Sequence, residues 1–422
     1  MKVFVRTYGC RANQYDTEAV RQMLASAGVE ETVDPSEADY AVLNSCTVTA
    51  SAEADLRSDV RALARGNPGI RTVIMGCASG LPGRDEGVAP LRTLPRVSEI
   101  VAGADVPAVA AALGIRRSEP AGAASPGEVA MQTGARALLR IQEGCDEHCT
   151  FCATTLSRGS SRSRAVADVL HEARGLAVSH PEIVLTGIHI GSYGLDIGSS
   201  LGELVETLIG GIPDVRFRLS SVEATEVDDR LAALLGSGGS RLAPHLHAPL
   251  QSGSDSVLRR MGRHWYTASA YEAAVLRLTG TGRPFGLAAD VISGFPGESE
   301  SDHMDTVRLV ERLPFTSLHV FPYSPRPGTA AVGLGDHVQA SVAGRRAREL
   351  RELAKEKAAT YRSRRAGGDC DVVVTGRGKG LTEDYLSVSV SDASMPRCSR
   401  FTGVLRDVDG QLIAFPAGDT QA

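Results

Sequence analysis

The sequence predicts an α/β protein with three parts: an N-terminal parallel α/β domain, a partial (β/α)6 barrel and a small C-terminal β barrel. Three observations lead to this prediction. Short apolar strands alternate with helical patterns through most of the chain, which favours parallel sheets with right-handed crossovers. A segment rich in Ala, Gly, Ser and Pro (118–128) interrupts the alternation and is typical of a linker. The last part of the chain is rich in short β-branched segments. The expected domains are 1–118, 131–362 and 366–418.

The first domain is expected to contain three strands, each followed by a helix. Gly residues close two of the helices, and acidic residues begin the first. The predicted strands are KVFVRTYGC (2–10), DYAVLNSC (39–46) and RTVIMGC (71–77). The predicted helices are DTEAVRQMLASAG (16–28), SAEADLRSDVRALARG (51–66) and DVPAVAAALG (105–114).

The second domain repeats the same alternation about six times, which predicts a partial or full parallel barrel. In such barrels the functional groups lie at the C-terminal ends of the strands. The strand candidates are ARALLRIQ (135–142), EIVLTG (182–187), VRFRLSS (215–221), APHLHA (243–248), FGLAADVISG (285–294) and TSLHVFPY (316–323).

A charged helix (344–368) is expected to lead into the third domain. Residues 345–365 hold nine Lys or Arg and three Glu, a net charge of +6. The segments that follow, DVVVTGRGKG, DYLSVSVS and FTGVLRDVDGQLIAF, predict a small all-β barrel.

Composition limits the class of protein. With 42% hydrophobic and 23% charged residues, the 422-residue chain fits a soluble globular protein. It has no apolar run of about 18 residues, so no membrane contact is expected, and its N-terminus does not look like a signal peptide. A cytoplasmic protein is therefore expected. The net charge of −5 means that any contact with nucleic acid must be local.

The strongest chemical signal is the spacing Cys145-x-x-x-Cys149-x-x-Cys152 in GCDEHCTFC, immediately after the first strand of the predicted barrel. Three thiolates on one short loop can hold three irons of a cubane cluster and leave the fourth open. Zinc is the main alternative, but a structural zinc site needs a fourth Cys or His at close spacing. His148 lies between the ligands, which makes its simultaneous coordination awkward.

A second set consists of Cys10, Cys46 and Cys77, each at the C-terminal end of a predicted parallel strand. Such ends share one edge of the sheet, where α/β domains bind ligands. The residues alone leave two readings open, a second cluster or three buried cysteines that only pack.

The chain resembles the methylthiotransferase family of radical S-adenosylmethionine (SAM) enzymes over nearly its whole length. TYGCRANQYDTEA, LNSCTVT and MGC resemble the family's auxiliary-cluster domain, GCDEHCTFC its radical SAM loop, and GLTEDYLSVSV its RNA-binding TRAM barrel. The chain departs from the family pattern after Cys152, in ATTLSRG, and after Cys77, in ASG. The resemblance implies two [4Fe–4S] clusters, one on each cysteine set.

Four segments resemble the branch that acts on threonylcarbamoyladenosine beside the tRNA anticodon. They are LTGIHIGSYG (185–194), RLSSVEATEVDD (218–229), HLHAPLQSGSDSVLRRMGR (245–263) and LHVFPYSPRPGTAA (318–331). The resemblance implies that one SAM methylates a cluster-bound sulfur, and that a radical from a second SAM activates the adenine C2–H bond for methylthio transfer. It also implies the tRNA anticodon loop and an electron donor such as flavodoxin or ferredoxin as partners.

SAM contacts are expected at the strand ends of the barrel and in the cysteine loop. The backbone at Gly187 suits the methionyl amine, Ser221 and Glu223 suit the ribose hydroxyls, and Gly294 permits close approach of adenine. Polar contacts are expected where QSGSD opens a helix. The full predicted set is Phe151, Gly187, Ser221, Glu223, Gln251, Ser252, Gly253, Gly294 and Phe295.

For several other residues the sequence allows both a functional and a structural interpretation. His189 and Tyr193 are either substrate contacts or an exposed loop pair. His245 and His247 favour a role in the barrel interior, and Cys370 and Cys398 favour packing. The basic helix, Arg377, Lys379 and the arginines after the cysteine loop are candidates for RNA phosphate contacts or solvated surface. Those three arginines are Arg158, Arg162 and Arg164.

Three alternatives to the main function stay open. The first is the same chemistry on isopentenyl-adenosine tRNA or on a ribosomal-protein aspartate. The second is a radical SAM enzyme of another reaction. The third is a non-catalytic iron–sulfur protein that binds RNA.

Overall fold

The computed structural model describes five stretches of the chain: residues 1–47, 50–80, 91–115, 132–237 and 241–418. The predicted linker (118–128) and the predicted boundaries at 118 and 131 lie outside them. Two compact units are formed. The first is Met1–Thr133, Gln142–Arg162 and Ser324–Val332, and the second is Gly134–Ile141, Ser163–Tyr323 and Gly333–Ala422. The three-domain division stays a prediction.

The first unit contains a five-stranded sheet in which every neighbouring pair is parallel. The order of the strands across the sheet is β2-β1-β3-β4-β5. Along the chain they are β1 (Lys2–Thr7), β2 (Glu30–Glu31), β3 (Tyr40–Ser45), β4 (Arg71–Gly76) and β5 (Val97–Ile100). Among the described residues, the helices that alternate with these strands are α1 (Arg11–Ser26), α2 (Ala50–Gly66) and α3 (Val106–Ala112). Apolar clusters form from alternate strand residues, Phe4 and Leu43 in one and Val3 and Val42 in the other. Both faces of the sheet are therefore covered.

The second unit is built around six parallel strands in two groups of three. Their order is β10-β9-β6 and β11-β12-β13. The strands are β6 (Ala137–Arg140), β9 (Glu182–Thr186), β10 (Arg216–Leu219), β11 (His245–His247), β12 (Gly286–Ser293) and β13 (Ser317–Pro322). Parallel bridges from Phe217 to Leu242 and from Ser221 to His247 join the groups. This is the partial (β/α)6 barrel that the sequence predicts.

Two further short strands and a short helix accompany the cysteine loop, and longer helices surround the barrel. The short elements are β7 (Gln142–Glu143), β8 (Arg162–Ser163) and α4 (Thr154–Arg158). The longer run includes α5 (Val166–Ala177), α6 (Leu201–Gly211), α7 (Asp229–Gly236), α8 (Asp255–Arg260), α9 (Ala268–Thr279), α10 (Glu300–Arg312) and α11 (Ala340–Arg365).

One face of each barrel strand packs against the helices. The apolar core joins Leu185, Phe217, Ala289 and Val320 on the strands with helical residues such as Val310. Side chains alternate between the two faces of a strand. The residues between these positions, polar at several places, therefore point to the opposite face, inside the barrel.

The C-terminal residues form a closed five-stranded barrel, so the predicted fold class is confirmed. The order of the strands around the barrel is β14-β15-β16-β18-β17. Along the chain they are β14 (Asp369–Gly376), β15 (Lys379–Thr382), β16 (Ser387–Val390), β17 (Arg400–Val408) and β18 (Gln411–Pro416). Helix α11 is tied to it at its end, because the Arg365 Nε donates to Asp384 Oδ2 at 2.7 Å. Within the described residues, no helix is long and apolar enough to cross a membrane.

Candidate functional site

Three cysteines of the first unit lie at one edge of its sheet. Cys10 is the residue before α1 and follows β1. Cys46 directly follows β3, and Cys77 begins a 3-10 turn directly after β4. Strands β1, β3 and β4 are neighbours and parallel, so their carboxyl ends bring the three cysteines to the same edge, as the sequence predicts for Cys10, Cys46 and Cys77.

Asn13 connects the three strand ends. Its Nδ2 donates to the Tyr8 carbonyl at 3.0 Å and to the Ser45 carbonyl at 2.7 Å. Its Oδ1 lies 3.5 Å from the Cys77 Sγ, and the residue is fully buried. Sequence reasoning missed Asn13, although an asparagine in the first turn after Cys10, where such residues compete with helical bonding, was an available signal.

Gly9 leaves space that Cys46 fills. Its φ is +93°, and a Cβ placed on it would lie 2.4 Å from the Cys46 Sγ. Only glycine combines this backbone conformation with such a close approach. The chain before Cys10 therefore fixes the position of Cys46.

The family resemblance implies one [4Fe–4S] cluster on each cysteine set. On that basis we expect Gly9→Ala to lower the iron that the reconstituted protein retains from about eight to about four per chain, because the added methyl group displaces Cys46. Gly28→Ala is the matched control. Gly28 also has a positive φ, +66°, but nothing lies within 4 Å of its Cβ position. The control carries the backbone strain without the steric contact and should keep its iron. Equal iron in both variants would contradict the prediction.

Arg158 reaches the same sheet edge from α4, and its side chain is 4% exposed. Its Nε donates to the Cys77 Sγ at 3.2 Å, and its Nη2 donates to Asn13 Oδ1 and Asp16 Oδ2, each at 2.7 Å. Burial alone would lower the pKa of Arg158, but Asp16, Cys77 and Glu143 outweigh it and raise that pKa. The reading of Arg158 as an RNA phosphate contact is wrong, because its guanidinium is buried and paired.

Cys77 is 5% exposed and has two polar neighbours in this cluster. Burial raises the pKa of its thiol above the ordinary value, and the charge of Arg158 opposes that shift. A cation that donates an N–H to sulfur favours the thiolate, which is the form that binds a metal. Thiolate sulfurs with such a donor fit an iron–sulfur cluster.

We expect Arg158→Lys to lower the local stability of this sheet edge by about 1–3 kcal/mol. Lysine keeps the charge but cannot donate hydrogen bonds to Asp16, Asn13 and Cys77 at the same time. Amide hydrogen exchange of peptides that cover α1 and β4 measures the change. Arg162→Lys, four residues along at an exposed position, should leave exchange unchanged. Equal exchange in both variants would refute the role given to Arg158.

The second cysteine set lies on a loop of the same unit. Contacts between the two ends of this loop close it. The Cys145 amide donates to the Gly159 carbonyl at 3.0 Å. Gly144 has a φ of +73°, and a Cβ on it would lie 1.9 Å from the Ser160 carbonyl oxygen. Within the loop, the Cys152 amide donates to the Cys149 carbonyl at 3.0 Å. The three cysteines and Phe151 are all partly exposed, so the loop offers three accessible cysteine sulfurs, a donor set that fits a cluster with one open iron.

The two segments that depart from the family pattern pack against each other. Gly80 closes the turn after Cys77, and a Cβ on it would lie 3.3 Å from the Ser157 carbonyl oxygen of α4. Ala78 and Ser79 in the same turn are buried. The small residues after Cys77 therefore leave room for the helix that follows Cys152, and the two departures belong to one contact.

Four of the predicted SAM contacts lie at or beyond strand ends of the second unit. Gly187 follows β9 and is partly exposed, and Ser221 is exposed and bridges to His247. Gln251 has a φ of +61° and its amide donates to the Asp290 carbonyl at 2.8 Å. Glu223 is 7% exposed and forms an ion pair with Arg263. Burial raises the pKa of Glu223, and Arg263 opposes that shift.

The other predicted contacts in this unit are held tightly by the protein itself. The Gly253 amide donates to Thr306 Oγ1 at 2.9 Å, and Ser252 is buried beside the same hydroxyl. The Gly294 amide donates to Glu298 Oε2 at 2.6 Å. The Phe295 ring is fully buried and packs edge-on against Tyr323, so contact with a ligand would require it to move. These assignments stay predictions.

Several remaining candidates have structural partners. The His189 Nε2 lies 2.8 Å from Glu226, and the buried Tyr193 donates to the Arg164 carbonyl at 2.8 Å. The His245 ring stacks on Tyr385 at 4.5 Å, as expected for a barrel-interior residue. Cys370 is buried in an apolar cluster of the small barrel.

Much of the positive charge of α11 is paired. Arg346 is buried against Glu298, and Arg365 against Glu383 and Asp384. Arg348 and Arg364 are exposed on the helix, as are Arg377 and Lys379 beside the first turn of the small barrel. The surface available to an anion is smaller than the charge of +6 suggests.

The comparisons with known proteins extend over most of the chain. Residues 2–87 match the model of an uncharacterised protein family, UPF0004, and residues 139–310 match the radical SAM superfamily. A threonylcarbamoyladenosine tRNA methylthiotransferase MtaB of Thermotoga maritima is 32% identical, over 88% of this chain and 86% of that protein. A tRNA-2-methylthio-N(6)-dimethylallyladenosine synthase of Oceanobacillus iheyensis is also 32% identical, over 90% and 75%.

The fold is also similar to that of a solved structure over most of the chain. The radical S-adenosylmethionine methyltransferase TsrM of Kitasatospora setae, solved with cobalamin and a [4Fe-4S] cluster, aligns with a TM-score of 0.57 at 14% identity. The alignment covers 78% of this chain and 76% of that one.

Proposed function

From the premise that this chain belongs to the radical SAM methylthiotransferase family, we propose that it adds a methylthio group to C2 of threonylcarbamoyladenosine beside the tRNA anticodon. The observation that carries the proposal is the presence of two three-cysteine sets in one compact unit, Cys10, Cys46 and Cys77 at the sheet edge and Cys145, Cys149 and Cys152 on the loop. The similarity to an MtaB over 88% of the chain supports this substrate.

In this proposal each cysteine set holds one [4Fe–4S] cluster. Such clusters, when bound, supply the electron for reductive SAM cleavage and the sulfur for transfer. The loop contributes three thiolates and leaves a fourth position for SAM. At the sheet edge, the N–H that Arg158 donates to the Cys77 sulfur stabilises the thiolate charge.

The partly exposed strand-end residues of the second unit are proposed to orient SAM. Gly187 offers backbone groups at the end of β9, and the Ser221 hydroxyl is exposed. Glu223, fixed by Arg263, contributes a carboxylate for the ribose hydroxyls. Residues that are already hydrogen-bonded within the protein, such as Gly294, are proposed to support this edge by holding it rigid.

Exposed cations of the second unit are proposed to contact the tRNA backbone. Arg348 and Arg364 on α11 and Arg377 and Lys379 on the small barrel present charge to solvent. A basic group near an RNA phosphate contributes salt-dependent affinity without reading sequence. Flavodoxin or ferredoxin is the proposed electron donor, and a tRNA substrate is consistent with action in the cytoplasm.

The second candidate function is methylthiolation of dimethylallyl-adenosine tRNA. It is favoured by the 32% identity to the synthase of Oceanobacillus iheyensis. Action on a ribosomal-protein aspartate keeps the same chemistry, and a non-catalytic iron–sulfur RNA-binding protein would cleave no SAM.

Mass spectrometry of tRNA nucleosides from a strain that lacks the gene separates these functions. We expect the methylthio form of threonylcarbamoyladenosine to disappear and to return with the wild-type gene but not with Cys145→Ala. Loss of only the dimethylallyl product would favour the second candidate. Unchanged tRNA nucleosides would reject both.

A further inference from the structure

Three potential metal ligands of the second unit lie on three neighbouring strands inside the barrel. His247 lies on β11, Asp290 on β12 and His319 on β13. Asp290 pairs directly with His319 in the parallel register, and His247 pairs with Ala288. The alternate residues of these strands belong to the core on the helix side, so these three side chains share the opposite face.

Their ligand atoms converge on one point. The His247 Nε2 and the His319 Nδ1 lie 3.1 and 3.2 Å from the same carboxylate oxygen, Asp290 Oδ1. One ligand atom from each residue lies within 4.8 Å of the other two. Donors around a tetrahedral zinc with bonds of about 2.1 Å lie about 3.4 Å apart, so small side-chain movements suffice to place all three at bonding distance.

Hydrogen bonding does not fully account for this group. The buried His247 Nε2 lies 3.1 Å from the Asp290 carboxylate, but it has no hydrogen-bond partner of good geometry among the described residues. A buried polar atom without a partner costs free energy unless an ion or water satisfies it. The nitrogen is thus available for a further ligand.

The other end of the group is open. The side chain of His319 is 53% exposed, whereas those of His247 and Asp290 are 13% and 28% exposed. An ion can therefore enter from the His319 side and retain positions for water or for an oxygen ligand. Two imidazoles and one carboxylate with open positions are a donor set for zinc and other divalent first-row metals.

We propose that His247, Asp290 and His319 form a binding site for one divalent transition-metal ion inside the barrel, with none of the six cluster cysteines among its ligands. The proposal goes beyond methylthio transfer and does not depend on it. The ion satisfies the buried nitrogen and balances the carboxylate, and it links β11, β12 and β13.

Zinc tests the site in the cluster-loaded protein. The protein is reconstituted with iron and sulfide, dialysed to equilibrium against Zn²⁺, and analysed for metal content. We expect about one zinc per chain, and its loss in His319→Gln and in Asp290→Asn. His319 is exposed and Asp290→Asn keeps the side-chain shape, so both variants should fold. His189→Gln is the matched control, since His189 also faces a carboxylate, Glu226 at 2.8 Å, but without a second imidazole.

X-ray absorption at the zinc edge identifies the donors. We expect nitrogen and oxygen neighbours without sulfur, and a melting temperature that rises with zinc in the wild type and in His189→Gln only. Equal zinc in the wild type and Asp290→Asn, zinc bound by sulfur, or no zinc in any protein would each overturn the proposal. Each outcome is independent of tRNA modification, so failure here leaves the proposed function untouched.

Discussion

Replacing Cys145, Cys149 and Cys152 together by alanine is expected to abolish SAM cleavage and methylthio transfer while about four irons per chain remain. The remaining iron belongs to the cluster proposed on Cys10, Cys46 and Cys77. These cysteines lie at one edge of the five-stranded sheet, where Asn13 bonds the carbonyls of Tyr8 and Ser45 and contacts Cys77. Iron analysis after anaerobic reconstitution, together with an assay for deoxyadenosine, measures both effects.

The reciprocal triple variant of Cys10, Cys46 and Cys77 should also keep about four irons. It should still cleave SAM but make no methylthio product, because only the sulfur-donating step is removed. Cys398→Ala is the control, a cysteine of the second unit outside both sets, and should keep about eight irons. Complete loss of iron in either triple variant would contradict the prediction that the two cysteine sets bind clusters independently.

The largest expected loss of stability comes from Glu182→Gln. The Glu182 carboxylate accepts from Arg216 Nε at 2.6 Å and from Arg218 Nε at 2.7 Å, and all three side chains are fully buried. The same arginines donate to the carbonyls of Asp371 and Thr382 in the small barrel. Removing one partner of a buried ion pair leaves uncompensated charge and costs about 3–5 kcal/mol.

Urea unfolding followed by fluorescence measures this loss, because the only tryptophan of the chain, Trp265, lies in the same unit. Glu203→Gln is the control: Glu203 pairs with Arg230 at 3.5 Å on the surface, and its loss should cost less than about 1 kcal/mol. Equal transition midpoints for the two variants would contradict the prediction.

The pH dependence has a defined sign. Burial alone would raise the pKa of Glu182, but Arg216 and Arg218 outweigh it and hold that pKa well below its ordinary value of 4.5. The ion pairs therefore stabilise the fold above pH 4.5, and this stabilisation is lost as the pH falls below that value. The Glu182→Gln variant should lose less stability than the wild type over that acid range.

The strands and the convergence of Cys10, Cys46 and Cys77 could be predicted because both depend on local pattern. An apolar run followed by a turn marks a strand end, and parallel strands bring their ends to one edge. The closed C-terminal barrel was likewise visible in its β-branched segments. Short elements such as β2 and β5, with exposed Glu residues, carry no such pattern.

Partners far apart in the chain could not be predicted. Arg158 follows the cysteine loop and looks like surface charge, but Asp16 lies 142 positions earlier and holds it in the interior. Arg216 and Arg218 interrupt an apolar strand for the same reason, since Glu182 and the small barrel satisfy them. Tyr193 on its loop is buried because it donates to the Arg164 carbonyl. Each case depends on a contact that no local window of sequence contains.

The most direct test is methylthiolation by the purified, cluster-loaded protein of two tRNAs that differ only in the modified adenosine beside the anticodon. One carries threonylcarbamoyladenosine and the other dimethylallyladenosine, and both are incubated with SAM and a reductant before nucleoside mass spectrometry. We expect the methylthio product on the threonylcarbamoyl tRNA alone. A product only on the dimethylallyl tRNA, or SAM cleavage with a product on neither, would contradict the proposed function.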